Sequence, residues 1–234
     1  MLCSAHQPAY LAWLGLLHKY ASADVWISWD DVPAEDSGYE NRNQILGADG
    51  QPQWLTVPVR KGRDIKLKDL EICTDQPWAR KHYRTLELAY GKAPNWKVYG
   101  PWFKDLYERK WTRLVDLNQH ILDFLLVQFK LGTRMEKLSA LGIETTKSQA
   151  IIDACRKVGA NHYLFGAKGR NYADLALFRS AGIEAWEQEY VAVEYPQLHP
   201  GFVPNLSAFD LLLNVDRDKA IEVMRAGGRT RRMA

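Results

Sequence analysis

The first residues able to do chemistry are His6 and Gln7, in the stretch LCSAHQPAYLAWLG. The short apolar run before them predicts a strand, and Pro8 is typical of the first turn of a helix, where its missing N–H needs no partner. His6 and Gln7 are therefore predicted to lie in a strand-to-helix turn, beside a helix N-terminus that attracts anions. A neutral imidazole there can act as a general base. The alternative is a structural histidine whose hydrogen bonds are satisfied locally.

Two adjacent carboxylates, Asp30 and Asp31, follow the next predicted strand, in DVWISWDDV. Successive strand side chains point to opposite faces, so at most one of the two enters a given pocket. That carboxylate could bind Mg²⁺, orient a sugar hydroxyl or orient His6. A solvated turn or a helix cap is the alternative. No second carboxylate cluster has recognisable ligand spacing, so we predict no metal site.

A polar segment further along contains Asn41, Arg42 and Asn43, which alternate along a predicted strand. Arginine is suited to bidentate contact with phosphate or carboxylate. An exposed polar strand edge is the alternative. Lys81 and His82 lie in a basic and aromatic stretch that is equally typical of a partly solvated helix.

A glycine-containing loop, FGAKGRNYAD, is predicted between a strand and a helix. Such a loop can admit a phosphate, but it has neither Walker A nor GxGxxG spacing, so the motif is weak alone. Ser207 is predicted to cap a later helix, with Asp210 as the acidic member of a capping box. The remaining candidate substrate-binding residues are Tyr10, Gly169, Arg170, Asn171, Tyr172, Gln197 and Asn205.

Composition points to a cytoplasmic globular protein. The chain has 234 residues and a net charge of +3, too mild to indicate nucleic-acid binding by itself. It shows no signal peptide and no apolar run near the ~18 residues that span a bilayer. Three cysteines, in no CxxC pattern, argue against disulfides and zinc and for a reducing compartment.

The order of predicted elements indicates an α/β fold. A strand–helix–strand opening predicts parallel pairing, with chemistry at the carboxyl ends of the strands. β-Hairpins follow, with turns predicted in ADGQPQ and KGRD, then helices ending at Gly91 and Gly132. A helix–strand–helix–strand pattern comes next, and a glycine ends its first helix. We expect a mostly parallel central sheet in one α/β domain spanning residues 1–234. A largely helical insertion is predicted at about 77–132 and a flexible basic tail at about 226–234.

Seven ordered motifs together resemble the WbqC-like protein family, from about residue 5 to about residue 214. Ala12 stands where the family pattern HQPxYxPW usually has a second proline, a change that removes no reactive group. The motifs are HQPAYLAWLG, ADVWISWDDV, NRNQI, WLTVPV, RKHYRTLELAYGKAP, GRNYADLALFRSAGI and FVPNLSAFDLLLN.

The resemblance implies a cytoplasmic step of bacterial surface-polysaccharide synthesis, particularly of the O-antigen of lipopolysaccharide. Acyl or aminoacyl transfer to a nucleotide-linked amino sugar is one such step. His6 would deprotonate the attacking group, Asp30 or Asp31 would orient His6 or the sugar, and Arg42 and Arg170 would hold the diphosphate. The sequence does not identify a cofactor or the oligomeric state, and it indicates no nucleic-acid partner and no membrane insertion.

Two other interpretations remain open. The protein could be a non-catalytic sugar-binding or scaffold protein of polysaccharide assembly. It could also be a nucleotidyltransferase-like enzyme with a histidine turn between its first strand and first helix. Against the latter, Gln7 and Pro8 stand where an HxGH motif needs glycine and a second histidine, and His18 lies too far along the helix.

Overall fold

The structure, a computed structural model, describes residues 1–35, 38–60, 62–167, 169–171 and 173–233. Within these ranges the strands are β1 (Leu2–His6), β2 (Val25–Ser28), β3 (Arg42–Leu46), β4 (Pro52–Thr56), β5 (Arg134–Lys137), β6 (His162–Phe165), β7 (Glu184–Tyr190) and β8 (Gly228–Arg232). The helices are α1 (Leu14–Ala21), α2 (Trp78–Tyr90), α3 (Trp96–Glu108), α4 (Leu114–Gln128), α5 (Lys147–Val158), α6 (Leu175–Ser180), α7 (Ala208–Asn214) and α8 (Arg217–Ala226).

A six-stranded sheet forms the centre of the described chain, in the order β5-β2-β1-β6-β7-β8. The first five strands in that order are parallel, and β8 is antiparallel to β7. The predicted mostly parallel α/β fold is thereby confirmed. β3 and β4 form a separate antiparallel hairpin, whose turn lies in the predicted ADGQPQ segment.

The central strands are buried on both faces, as expected for a parallel sheet covered by helices. In β2, Trp26 packs into one hydrophobic cluster with α1 to α4, α7, α8 and the hairpin. Its neighbours Val25 and Ile27 pack on the opposite face, with α5 and α6. This alternation follows from the two-residue period of a strand. Because apolar side chains cover both faces of these strands, a ligand can reach the sheet at the strand ends.

The helix after β1 begins at Leu14, so the prediction that Pro8 lies in its first turn is wrong. Residues 7–13 form a loop, with Leu11 at φ 46°. The Asn43 amide donates to the carbonyl oxygens of Tyr10 (3.2 Å) and Leu11 (2.8 Å). Because Asn43, in the β3–β4 hairpin, satisfies these two carbonyl groups, the backbone does not need helical hydrogen bonds here. The apolar side chains of residues 7–13 therefore anchor a loop and do not form one face of a helix.

Two further segments differ from the prediction. The long helical run splits, since residues 112–114 pair with residues 70–72: Ile72 N donates to Thr112 O (2.8 Å) and Leu114 N to Leu70 O (2.9 Å). The second predicted hairpin, around the KGRD turn, is reduced to isolated bridges in the described part of the chain, such as Val59 with Ile72.

The basic tail forms strand β8 rather than a frayed terminus. Its arginines face glutamates of β7: Arg231 contacts Glu187 at 2.5 Å and Arg229 contacts Glu189 at 2.6 Å. Opposite charges directly across an antiparallel pair stabilise it. The sequence pattern missed this because the glutamates lie about forty residues earlier in the chain.

Two predicted helix ends are confirmed, whereas the end predicted at Gly132 is wrong, because α4 ends at Gln128. α5 ends at Gly159, which has φ 78°, a left-handed conformation that glycine adopts without steric cost. α2 ends before Gly91. α2, α3 and α4 lie within the predicted helical range, while their status as an insertion in a single domain stays a prediction.

Candidate functional site

A cleft of about 1140 Å³ opens at the carboxyl ends of the parallel strands. This volume is slightly larger than that of ordinary ligand pockets, which run from about 300 to 1,000 Å³. His6 at the end of β1, Asp31 after β2, Ser139 after β5 and Gly166 after β6 all line it. Ligands of open α/β sheets bind at this edge.

His6 enters the cleft as a neutral imidazole. Its Nδ1 lies 2.7 Å from the Gln7 carbonyl oxygen, so Nδ1 carries the proton and Nε2 the lone pair. Burial, with a smaller contribution from the nearby Lys19 charge, lowers the pKa of His6 to about 4, although the Gln7 carbonyl opposes the shift. The Trp13 ring contacts the imidazole edge-on, with centroids 5.4 Å apart. His6 can therefore accept a proton or a hydrogen bond at neutral pH.

Lys19, in the last turn of α1, lines the same cleft as His6 and is only 6% exposed. Its Nζ donates to the Ala5 carbonyl oxygen at 2.7 Å. Burial lowers the pKa of Lys19 to about 8. Sequence analysis missed this residue, because a lysine in an amphipathic helix ordinarily faces water.

A row of aromatic rings begins beside His6: Trp13 and Tyr39 line the cleft, and Trp54 lies beyond its lining. Trp13 contacts Tyr39 with centroids 5.2 Å apart, and Tyr39 contacts Trp54 at 5.9 Å. The Arg42 guanidinium lies over the Trp54 ring at 4.7 Å. Tyr39 and Trp54 are 47% and 42% exposed. Aromatic faces of this kind suit a sugar or a nucleobase.

The two aspartates have different surroundings. Asp31 lines the cleft, and its carboxylate is paired with Lys68 (2.8 Å) and Lys66 (3.0 Å). The hydrogen bond from Lys68 is the main reason that the pKa of Asp31 is lowered. Asp30 is buried outside the cleft lining, and its carboxylate accepts from Ser139 N (2.9 Å) and Ser139 Oγ (2.7 Å). Of the two, only Asp31 is placed to meet a ligand.

Tyr10 and His82 lie together in the core and do not line the cleft. Tyr10 Oη is 2.8 Å from His82 Nδ1 and 2.5 Å from Tyr107 Oη. A hydrogen bond to the Thr56 carbonyl gives His82 Nε2 the proton, so Nδ1 accepts from Tyr10. These hydrogen bonds link the loop after β1 to α2 and α3, and a ligand contact of Tyr10 or His82 stays a prediction.

We expect His82 to make the protein acid-sensitive. Burial lowers the pKa of His82 to about 4, whereas an unfolded histidine titrates near 6.5, so between these values the unfolded state binds more protons. Stability should therefore fall as the pH drops, by about 2 to 3 kcal/mol for this group between pH 7 and 4.5. Urea denaturation at several pH values measures this. His82→Asn, which keeps an acceptor for Tyr10, should flatten the slope, and an unchanged slope would contradict the assignment.

Three other candidate residues support the fold. Asn43 holds the loop after β1, as described above. Asn41 donates to the Val57 carbonyl oxygen at 2.9 Å. Gln197 bonds the Val203 backbone at both atoms of its amide and donates to Asp210 at 2.8 Å. None of the three lines the cleft.

The remaining candidates are divided between cleft and surface. Gln7, Gly169 and Asn205 line the cleft, and Asn205 has φ 61°. Lys81 and Asn171 are exposed and do not line the cleft. Arg42 does not line the cleft either. Tyr172 and the side chain of Arg170 lie outside the described residues. Their predicted contacts with a ligand stay predictions.

Asp210 is a second residue whose role the sequence did not reveal. Ser207 caps α7 as predicted, accepting from Phe209 N. Asp210 does not complete a capping box, because its carboxylate is fully buried and accepts from Tyr90, Tyr195 and Gln197. The donors come from distant parts of the chain, so no local pattern could have indicated them.

Among the described residues, no group of three or more histidine, cysteine, aspartate or glutamate side chains is arranged to hold a metal ion. In the same residues no helix combines the length and the apolar character needed to cross a membrane.

The fold and the cleft together define an α/β protein with a ligand-sized site at the carboxyl edge of its sheet. A model of the WbqC-like protein family matches residues 7–222, and the chain belongs to this family, as its motifs predicted. The chain is also 30% identical over 212 residues to "Uncharacterized protein Rv1507c" of Mycobacterium tuberculosis (strain ATCC 25618 / H37Rv). The match covers 89% of this chain and 91% of the relative. No solved structure matches the chain.

Proposed function

We propose that this protein transfers an acyl or aminoacyl group to a nucleotide-linked amino sugar. The reaction would be a cytoplasmic step in the synthesis of bacterial surface polysaccharide, such as the O-antigen of lipopolysaccharide. The observation that carries this proposal is the neutral His6, with Nδ1 held by Gln7 and Nε2 able to accept a proton, in a cleft large enough for a two-part ligand.

In the proposed reaction, the amine of the sugar attacks the carbonyl carbon of the donor. A C–N bond forms, the bond between the acyl carbon and its leaving group breaks, and the amine loses a proton to His6 Nε2. The imidazolium then gives that proton to the leaving group. A base with a pKa of about 4 takes the proton late, once the attacking nitrogen carries positive charge and is far more acidic than a free amine.

Other cleft residues suit the same ligand. The carboxylate of Asp31, kept ionised by two lysines, can accept hydrogen bonds from sugar hydroxyls. His6 is the single histidine that lines the cleft among the described residues. His18 does not line it, although it lies 2.9 Å from Gln188, which does. A paired-histidine nucleotidyl transfer therefore has less support than transfer to an amine.

The proposal is tested by turnover. The purified protein is incubated with a panel of nucleotide-linked amino and hydroxy sugars and with acyl-thioester or activated aminoacyl donors, and products are identified by mass spectrometry. We expect an amide product from an amino sugar and none from its hydroxy analogue. Binding of a nucleotide sugar without product from any donor would instead support a non-catalytic sugar-binding protein.

We expect Tyr39→Ala to weaken binding of the nucleotide sugar about 5- to 150-fold, the loss of one stacking contact of roughly 1–3 kcal/mol. Because Tyr39 is half-exposed, the variant should keep the wild-type melting temperature. Tyr39→Phe keeps the ring and should bind as the wild type does. Calorimetric titration measures both, and equal affinity for the alanine and phenylalanine variants would remove Tyr39 from the site.

A further inference from the structure

Lys19 is the least expected side chain in the cleft. Lysine is almost never buried without a partner, since removing an ammonium from water costs several kcal/mol. Lys19 is nonetheless only 6% exposed. Its surroundings are ordered by α1 on one side and β1 on the other. A charged group buried at this cost in desolvation free energy is stabilised only if a negative charge lies close to it.

The protein supplies no such counter-charge in the described part of the chain. Lys19 Nζ has three N–H donors, and its hydrogen bond goes to the neutral Ala5 carbonyl. The Trp26 ring lies 5.8 Å away and adds a weak cation–π contact. Within the described residues no carboxylate approaches Nζ to 4.0 Å, and the contribution that opposes the lowering of the Lys19 pKa comes from Cys3, not from a carboxylate. Below pH 8 the ammonium is mostly charged and its charge is uncompensated.

The ammonium is accessible from the cleft. Lys19 lines it together with Ala5, His6 and Gly166. A methyl group added at Gly166 would lie 3.7 Å from Nζ, so the glycine leaves the space beside the ammonium open. A ligand atom can therefore approach the unused N–H donors along the Gly166 backbone.

The N-terminus of α5 is a second region of positive charge at the same cleft. Lys147, the first residue of α5, lines the cleft together with the preceding Thr145 and Thr146, and Thr146 at the N-cap makes no side-chain capping bond. The N–H groups of a helix start carry partial positive charge and attract anions. Arg42, the arginine that sequence analysis assigned to the diphosphate, instead lies over Trp54 and does not line the cleft.

We propose that Lys19 Nζ forms the floor of an anion subsite that binds a phosphate group of the ligand. Identifying that phosphate with the diphosphate of a nucleotide-linked sugar rests on the proposed function, whereas the subsite itself does not. The bound anion would provide the missing counter-charge and place the reacting end of the ligand beside His6. A carboxylate offers the same anionic oxygens, and the experiment separates the two sources.

The test is calorimetric titration with inorganic pyrophosphate, UDP and acetate at pH 7. Lys19→Met, which keeps the length of the side chain and removes the charge, should weaken pyrophosphate and UDP about 10- to 100-fold, the value of a charge-assisted hydrogen bond. The matched control is Lys104→Met, an exposed lysine that does not line the cleft and lies 3.8 Å from Glu108. It should change the affinity by less than about threefold, because exposed charges are screened.

Stability provides an independent readout. Ligand-free Lys19→Met should melt at the wild-type temperature or above, since it removes a buried unpaired charge. If that variant does not fold, the pH dependence of UDP binding to the wild type replaces it, because the phosphates of UDP keep their charge between pH 7 and 9. The affinity should fall as Lys19 loses its proton near pH 8.

Three results would overturn the subsite. These are wild-type affinity for pyrophosphate in Lys19→Met, UDP affinity that does not change from pH 7 to 9, and tight binding of acetate with no response to either phosphate ligand. None of these measurements needs turnover. A protein that binds pyrophosphate through Lys19 but never forms an amide would keep the subsite and contradict the proposed function.

Discussion

Replacing His6 by alanine is expected to lower the rate of group transfer about 10²- to 10⁴-fold, the usual contribution of a positioned general base. The fold should survive, because His6 is partly exposed at the end of β1 and its hydrogen bond is to the adjacent Gln7 carbonyl. Turnover per folded molecule and the melting temperature are measured on the same preparation. The rate of the wild type should decline on the acid side near pH 4, where His6 takes up its proton.

The control for this variant is His162→Ala. His162 begins β6, at the end of the sheet opposite the cleft, and pairs with Glu184 at 3.1 Å. Its replacement should leave turnover unchanged. If His6→Ala melts early and its activity per folded molecule is normal, the imidazole is structural and the base must be sought elsewhere.

The largest effect on stability is expected from Asp210→Ala. The Asp210 carboxylate accepts from Tyr90 Oη (2.7 Å), Tyr195 Oη (2.9 Å) and Gln197 Nε2 (2.8 Å), and it is fully buried. Removing it leaves three donors without this acceptor, two on buried tyrosines and one on the half-buried Gln197, and each buried donor costs about 1–3 kcal/mol. Because such costs are not additive, we expect a loss of roughly 3–5 kcal/mol in the free energy of unfolding.

Denaturation in urea measures this loss, with Asp218→Ala as the matched control. Asp218 pairs with Lys130 at 2.7 Å but is 82% exposed, so its removal should cost less than about 0.5 kcal/mol. The loss in stability for Asp210→Asn should lie between those for Asp210→Ala and Asp218→Ala. The asparagine amide keeps one oxygen that can accept a hydrogen bond, but its NH2 group is a donor placed against the tyrosine donors. A loss for Asp210→Ala as small as that for Asp218→Ala would show that the tyrosines find other acceptors.

Local patterns in the sequence predicted those parts of the fold that local interactions determine. The apolar runs of β1 and β2 and the glycine after α5 each depend on a few neighbouring residues. The loop after β1 was wrongly predicted because its conformation depends on Asn43, some thirty residues later. Strand β8 was missed for the same reason, since its partners lie in β7.

The candidate site divides in the same way. His6, Gln7 and Asp31 were found because they follow predicted strands, and the carboxyl ends of parallel strands share one edge of the sheet. Lys19 and Tyr39 were not, because residue type and spacing do not show which side of a helix or loop will face a cleft. Tyr10 and His82 had residue types typical of a site, but tertiary packing places them in the core.

The position of β1 in the middle of the sheet has a consequence for how the protein is made. One neighbour of β1, β2, follows about twenty residues later, but the other is β6, and the Ser4 hydroxyl bonds the Leu164 carbonyl across 160 positions of the chain. At roughly 5–20 residues per second, a ribosome needs on the order of ten seconds to supply that partner. During this time one edge of β1 has no strand to pair with, and exposed edges aggregate. Folding that depends on such distant contacts is also slow. The yield of folded protein should therefore depend on synthesis rate and chaperone supply more than on the stability of the finished sheet.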